Sequence, residues 1–171
     1  MKRAVFLDRD GVINKTFIVN GVPTPARSLD ELQILPKVDE ALNILRRLGF
    51  EIVVVTNQPD VSRGVLTKEM VHSLHRSLEL ELGIKYFYTC FHDDVDNCLC
   101  RKPKPGLLNL AAADLGIDLK QSFMIGDRWR ADLEELQGLA AHSDDPAFLE
   151  RWQAVRDLGK QRLAQHMRRE L

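Results

Sequence analysis

Residues 4–14 read AVFLDRDGVIN. Four apolar residues run straight into Asp8 and Asp10, which stand one residue apart, and then into Gly11. The apolar run reads as a buried strand. Two like charges at its end repel each other, so either the strand finishes in a solvated turn or a cation stands between the carboxylates. Aspartate and glycine favour turns on their own account, so this stretch alone does not choose.

The rest of the chain supplies the context. RAVFLD (3–8), FEIVVVT (50–56), KYFYTCF (85–91) and SFMIG (122–126) read as strands, three of them nearly all-apolar, as parallel strands buried on both faces are. Helical periodicity fills the gaps. PKVDEALNILRRLG (36–49) places Val38, Leu42, Leu45 and Leu48 on one face, with Pro36 early and Gly49 as its stop. TKEMVHSLHRSLELELG (67–83) opens on a capping Thr67, carries Met70, Leu74, Leu78 and Leu82, and closes on glycine. KPGLLNLAAADLG (104–116) repeats the device. Alternating strands and helices specify an α/β fold with a parallel sheet and right-handed crossovers.

Such sheets bind ligands at the C-terminal ends of their strands. Asp8 and Asp10 end the first strand, Thr56 and Asn57 the second, and Gly126 and Asp127 the fourth. Asp8, Asp10 and Asp127 together then call for a hard cation with oxygen ligands, and Mg²⁺ suits them. A bare turn accounts for either aspartate motif alone but not for both at the ends of the expected strands.

A second metal site is legible in CFHDDVDNCLC (90–100). All three cysteines of the chain fall here, and Cys90, His92, Cys98 and Cys100 form a C-x-H followed by a C-x-C. Residues two apart in an extended segment point the same way. Three thiolates and an imidazole fill a tetrahedral Zn²⁺ with no position left open, which makes the zinc structural. Asp93, Asp94 and Asp96 read as solvated loop acids, and His72, His75, His142 and Trp129 as packing or surface. Met70 and Met124 read as core.

The chain has 171 residues, 44% of them apolar and 29% charged, with a formal net charge of −1. That suits one domain, residues 1–171, and provides no basic field for nucleic acid or an anionic membrane. No apolar run approaches membrane-spanning length, and MKRAVFLDRDG is charged too early for a signal peptide. A cytoplasmic location is expected.

FLDRDGVIN (6–14), VVVTNQ (53–58), CRKPKPG (100–106) and MIGDRWRAD (124–132) resemble, in order, the four motifs of the haloacid-dehalogenase (HAD) superfamily of phosphatases. The likeness covers residues 3 to about 132. It is strongest to the small capless branch containing the D-glycero-D-manno-heptose 1,7-bisphosphate phosphatases and histidinol phosphatases. The resemblance implies a three-layer Rossmann-like core and no large cap domain. It implies Asp8 as nucleophile through an aspartyl-phosphate, and Asp10 as general acid and then base, its backbone carbonyl also ligating Mg²⁺. Thr56 would hold phosphoryl oxygens, Asn57 would orient the substrate, and Lys102 would neutralise the charge developing during transfer. Asp127 would complete the Mg²⁺ site and Asp132 would steady its loop. Arg101, carried with Lys102 on the zinc loop, is expected to bind a second anionic group of the substrate.

The expected activity is Mg²⁺-dependent hydrolysis of a small sugar phosphate, first among them D-glycero-D-manno-heptose 1,7-bisphosphate in lipopolysaccharide core heptose synthesis. Histidinol phosphate and a 3′-phosphorylated nucleic-acid end are the enzymatic rivals. A zinc-stabilised binding module with a decayed catalytic site is the non-enzymatic one. Where relatives continue into a glycine-punctuated helix and one more apolar strand, residues 145–171 instead carry Phe148, Trp152, Val155, Leu163 and Met167 at roughly helical spacing. An atypical helical C-terminus is expected there, either covering a sheet edge or pairing two subunits, with a monomer favoured.

Overall fold

The structure, a computed structural model, describes residues 1–19 and 21–127. The expected C-terminal helix, Asp132, Trp129 and His142 lie outside the described residues. The described chain runs β1 (Ala4–Leu7), β2 (Phe17–Val19), β3 (Val22–Thr24), α1 (Val38–Arg47), β4 (Glu51–Asn57), α2 (Lys68–Leu82), β5 (Tyr86–Cys90), α3 (Gly106–Leu115) and β6 (Phe123–Ile125). All four expected strands and all three expected helices are present, each within two residues of its expected ends.

β1, β4, β5 and β6 form one parallel sheet in the order β5–β4–β1–β6. The chain steps outward from β1 through β4 to β5, then returns to β1's other side with β6. The strand order therefore reverses beside β1, and a crevice opens there at the C-terminal ends. Period-two alternation divides the sheet's side chains between two apolar layers. Ala4, Phe6, Val53 and Val55 pack with Leu107, Leu108 and Ala111 of α3. Val5, Leu7, Ile52 and Val54 pack with Leu42 of α1 and with Leu78 and Leu82 of α2. Helices thus cover both faces, giving three layers. Met124 is buried as expected, whereas Met70 is only half-buried.

Helix ends follow local chemistry. Thr67 caps α2, its hydroxyl accepting from the Met70 amide at 3.2 Å, an interaction worth about 1 kcal/mol. α1 differs from the sequence expectation at its start. Pro36 lies two residues before the helix, and the capping position is Lys37, in the left-handed region with no side-chain cap. At the other end Phe50 and Gly49 donate to the carbonyls of Leu45 and Arg46, closing α1 in a Schellman motif.

Residues 15–35, which carried no strand expectation, include a small antiparallel hairpin of β2 and β3. Each strand has only three residues, too few for periodicity to register. Ile18, Val19 and Val22 of the hairpin are exposed. Among the described residues no helix is long and apolar enough to cross a membrane.

Candidate active site and metal centre

The alternation that sorts the core also sorts the residues just past each strand. Continuing β1, Asp8 falls to the α3 side with Phe6, and Arg9 to the α2 side with Leu7. Continuing β4, Thr56 falls to the α2 side and Asn57 to the α3 side. Asp8 is fixed first by backbone: its amide donates to the Ile125 carbonyl of β6 at 2.9 Å. Its carboxylate accepts from the Arg9 amide at 2.7 Å and pairs with Lys102 Nζ at 3.0 Å. Both side chains are almost wholly buried.

Asp127 reaches the same place from β6. Gly11 has φ +85, and a Cβ built there would land on the Asp127 carboxylate. Glycine is needed twice over, for the left-handed turn and for the close approach. Asp127 thus lies against the turn that carries Asp8 and Asp10, its carboxylate pressed on Gly11.

Asp10 is enclosed by donors. Arg9 donates from Nε (3.3 Å) and Nη2 (3.2 Å) to Oδ1, and from Nη2 to Oδ2 at 3.0 Å. Asn14 Nδ2 donates to Oδ1 at 2.9 Å and Gln58 Nε2 to Oδ2 at 2.8 Å. Burial pushes the Asp10 carboxyl up, but the Arg9 charge and these hydrogen bonds outweigh it and hold the group below the usual carboxylate range. Gln58 Nε2 also donates to the Thr56 hydroxyl at 2.9 Å, tying Thr56 to Asp10.

Asn57 acts on the protein itself. Its Nδ2 donates to the Lys102 carbonyl and its Oδ1 accepts from the Lys102 amide, each at 3.0 Å. The amide is expected to orient substrate; one of its N–H groups and its oxygen are engaged with the Lys102 backbone, which ties Asn57 to the position of Lys102. Asn57→Ala should therefore lower kcat by about 10-fold to 100-fold, the cost of a misplaced charge, while phosphate-analogue binding is weakened less. Steady-state kinetics beside vanadate inhibition test this.

The zinc expectation meets compact geometry. The four ligand atoms lie within 4.8 Å of one another. Cys90 Sγ stands 3.6 Å from Cys98 Sγ, 3.3 Å from Cys100 Sγ and 3.6 Å from His92 Nδ1. Cys98 and Cys100 are 3.5 Å apart, and His92 Nδ1 is 3.3 Å from Cys100. A zinc tetrahedron with bonds of about 2.3 Å has edges of about 3.8 Å, whereas a disulfide brings sulfurs to about 2.05 Å. The cluster has the dimensions of the former. Burial raises the Cys90 thiol to about 12, so ionising it here needs a neighbouring cation.

The loop around the cluster is pinned. Asp93 and Asp96 cap its short 3₁₀ turn reciprocally, and Asp93 forms a bidentate pair with Arg63 at 2.6 Å on each arm. The Arg63 hydrogen bonds bring the Asp93 carboxyl down to about 2. Lys104 donates to the carbonyls of Asn97 and Cys98. Gly106 starts α3 where a Cβ would strike the Leu99 carbonyl, so the helix abuts the loop. Arg101 leans on the loop too, with Nε on Asp94 at 2.6 Å and Nη1 on the His92 carbonyl at 3.2 Å. The loop acids are thus not idle solvated groups; two of them hold arginines.

Arg9, Asn14 and Gln58 carry no expectation from the sequence, and His75 is expected only as packing or surface. His75 is buried, stacked on Phe87 at 4.5 Å between centroids, while His72 is exposed as expected. The one available signal was the arginine between two buried aspartates, whose direction only the register of β1 reveals.

A family model described as haloacid dehalogenase-like hydrolase matches residues 14–139. The chain is 37% identical over 145 residues to a D-glycero-beta-D-manno-heptose-1,7-bisphosphate 7-phosphatase of Helicobacter pylori, covering 81% of this chain and 79% of that protein. It is 32% identical over 161 residues to the Pseudomonas aeruginosa protein of the same name, covering 91% and 85%. Among solved structures it is similar to a D,D-heptose 1,7-bisphosphate phosphatase from B. bronchiseptica in complex with magnesium and phosphate. That match has a TM-score of 0.64 and 29% identity, and covers 77% of this chain and 73% of that one. The chain thus belongs to the haloacid dehalogenase-like hydrolases, as a phosphoric monoester hydrolase.

Proposed function

We propose that this phosphatase removes the 7-phosphate of D-glycero-β-D-manno-heptose 1,7-bisphosphate in the cytoplasm, with bound Mg²⁺ and a structural Zn²⁺. The observation that carries the chemistry is the buried Lys102–Asp8 pair at 3.0 Å at the strand-order reversal, with Asp127 pressed against Gly11 of the same turn. The substrate follows from the name shared by relatives that align over most of the chain.

Asp8 is the nucleophile. Its oxygen attacks phosphorus, an aspartyl-phosphate bond forms, and the bond from phosphorus to the sugar oxygen breaks. Asp10, whose lowered carboxyl must first be protonated as the dianionic substrate binds beside it and opposes its charge, gives that oxygen a proton, then takes one from the water that attacks the aspartyl-phosphate and frees inorganic phosphate. Lys102 holds its charge against the transferring group, and Thr56 holds a phosphoryl oxygen. Asp8, the Asp10 carbonyl and Asp127 offer the hard oxygen donors Mg²⁺ prefers, and the ion would neutralise charge on the phosphoryl oxygens. Arg101 is available to the second phosphate because its Asp94 partner is largely exposed and such a pair contributes only about 0–1 kcal/mol. The experiment is phosphate release across both heptose bisphosphate anomers and histidinol phosphate. The β anomer is expected to give the highest kcat/KM, and preference for histidinol phosphate overturns the substrate.

Cys90, His92, Cys98 and Cys100 would hold the zinc, which braces the segment leading into Arg101 and Lys102. Removing it is expected to lower activity by about 10-fold to 100-fold. The parallel sheet should survive, so far-ultraviolet circular dichroism should change little. Unchanged kinetics in a chain verified by elemental analysis to be zinc-free refutes this role.

A further inference from the structure

Arg9 is fully buried, with 0% of its surface exposed. A buried ion pair seldom stabilises a fold better than apolar groups of the same volume, because both ions lose their water. Its presence beside Asp10 therefore calls for a reason other than stability. Arg9 spans two partners: Nε and Nη2 fork onto the Asp10 carboxylate, while Nη1 lies 3.2 Å from His75 Nε2. Arginine only donates, so His75 Nε2 accepts and the ring is neutral. Burial and the adjacent Arg9 charge are consistent with that, lowering His75 to about 3. His75 is itself clamped, stacked nearly parallel on Phe87.

Asn14 and Gln58 add donors to Asp10 while also donating to the Lys15 carbonyl and the Thr56 hydroxyl. Among the described residues their carbonyl oxygens, Asn14 Oδ1 and Gln58 Oε1, are buried without a hydrogen-bond partner. A buried unpaired carbonyl costs about 1–3 kcal/mol. Both amides accept that cost in orientations that serve Asp10. Donors just past β1, later in the same loop and just past β4 thus converge on one carboxylate, and α2 supports them through His75.

We propose that His75, Arg9, Gln58 and Asn14 are positioning residues that fix the Asp10 carboxylate for its proton transfers. The proposal rests on Asp10 being the acid and base. His75 and Arg9 act at second hand: the clamped imidazole orients the guanidinium, and the guanidinium orients Asp10. None needs to touch substrate.

The test uses the full chain with Mg²⁺ and compares the sugar bisphosphate with p-nitrophenyl phosphate. The nitrophenolate leaves without a proton, whereas a sugar alkoxide needs one, so faulty placement of the acid weighs more heavily on the sugar ester. kcat/KM reports the first transfer, in which the alcohol leaves. In His75→Phe, which keeps the stack but loses the acceptor, kcat/KM for the sugar ester should fall about 10-fold to 100-fold and clearly less for the aryl ester. His75→Gln, which restores an acceptor, should recover most of the loss. Arg9→Lys, which keeps charge but loses the fork, should show the same ester dependence. Equal losses on both esters would mean a purely structural role and overturn the proposal, as would no loss in the His75 variants. Should Arg9→Lys not fold, the His75 pair decides alone. Asp10→Asn serves as reference: if it keeps activity on the sugar ester, the acid–base reading itself fails. If it is inactive while His75→Phe is normal, only the positioning proposal fails.

Discussion

Asp8→Asn is expected to stop phosphate release, with kcat falling by about 10⁴-fold or more, the scale on which removal of a covalent nucleophile is felt. An amide of nearly identical shape keeps the packing. Its oxygen can still accept from the Arg9 amide, the contact that now measures 2.7 Å. What disappears is the charged oxygen that, in the proposed mechanism, bonds to phosphorus. A stopped reaction should separate loss of chemistry from loss of fold. Peptides from the wild-type chain, quenched during turnover, should carry a phosphoryl group at Asp8, and those from Asp8→Asn none. Residual turnover above about 1% of wild type would remove Asp8 from the nucleophile's role.

Lys102→Met should have the next largest effect, and on two quantities together. The Lys102 side chain is only 3% exposed and its ammonium lies 3.0 Å from Asp8. Methionine fills the stem's volume but leaves a buried carboxylate without that cation, which costs about 3–5 kcal/mol of stability. In the proposed mechanism transition-state charge also loses its counter-ion, so kcat/KM should drop by about 10³-fold. Lys102→Arg is not expected to rescue, because a planar fork does not replace a compact ammonium. Urea denaturation and steady-state kinetics on the same preparations test both. A variant with lost activity but unchanged stability would show that the Lys102–Asp8 pair contributes little in the folded chain.

Both predictions depend on placement that one strand's periodicity sets in motion. The direction each side chain takes after β1 and β4 is fixed by alternation. Asp8 meets Lys102 before α3, and Arg9 meets His75 on α2. Asn57 shows the limit of reading residue types without that geometry. A polar residue after a strand in a phosphatase motif suggests a substrate contact, yet its amide matches the Lys102 peptide group by group. His75 shows the same limit from the other direction. In a helix with Leu74, Leu78 and Leu82 it looks like an interruption of an apolar face, and nothing local reveals that an arginine arrives from β1 to use it.

The sequence by itself determined the parallel α/β sheet, because apolar runs and helical periods alternate at the scale of single elements. It also placed Asp8, Asp10 and Asp127 at strand ends and grouped Cys90, His92, Cys98 and Cys100 in one short loop, since both follow from strand ends and short spacings. Tertiary structure alone decided how Asp10 is held, what the Asn57 amide pairs with, which arginines the loop acids hold, and that residues 17–19 and 22–24 pair as antiparallel strands. Most of those outcomes depend on pairs far apart in the chain, and the last on strands of three residues. Local periodicity fixes which face a side chain takes; only the packed fold decides what waits on that face.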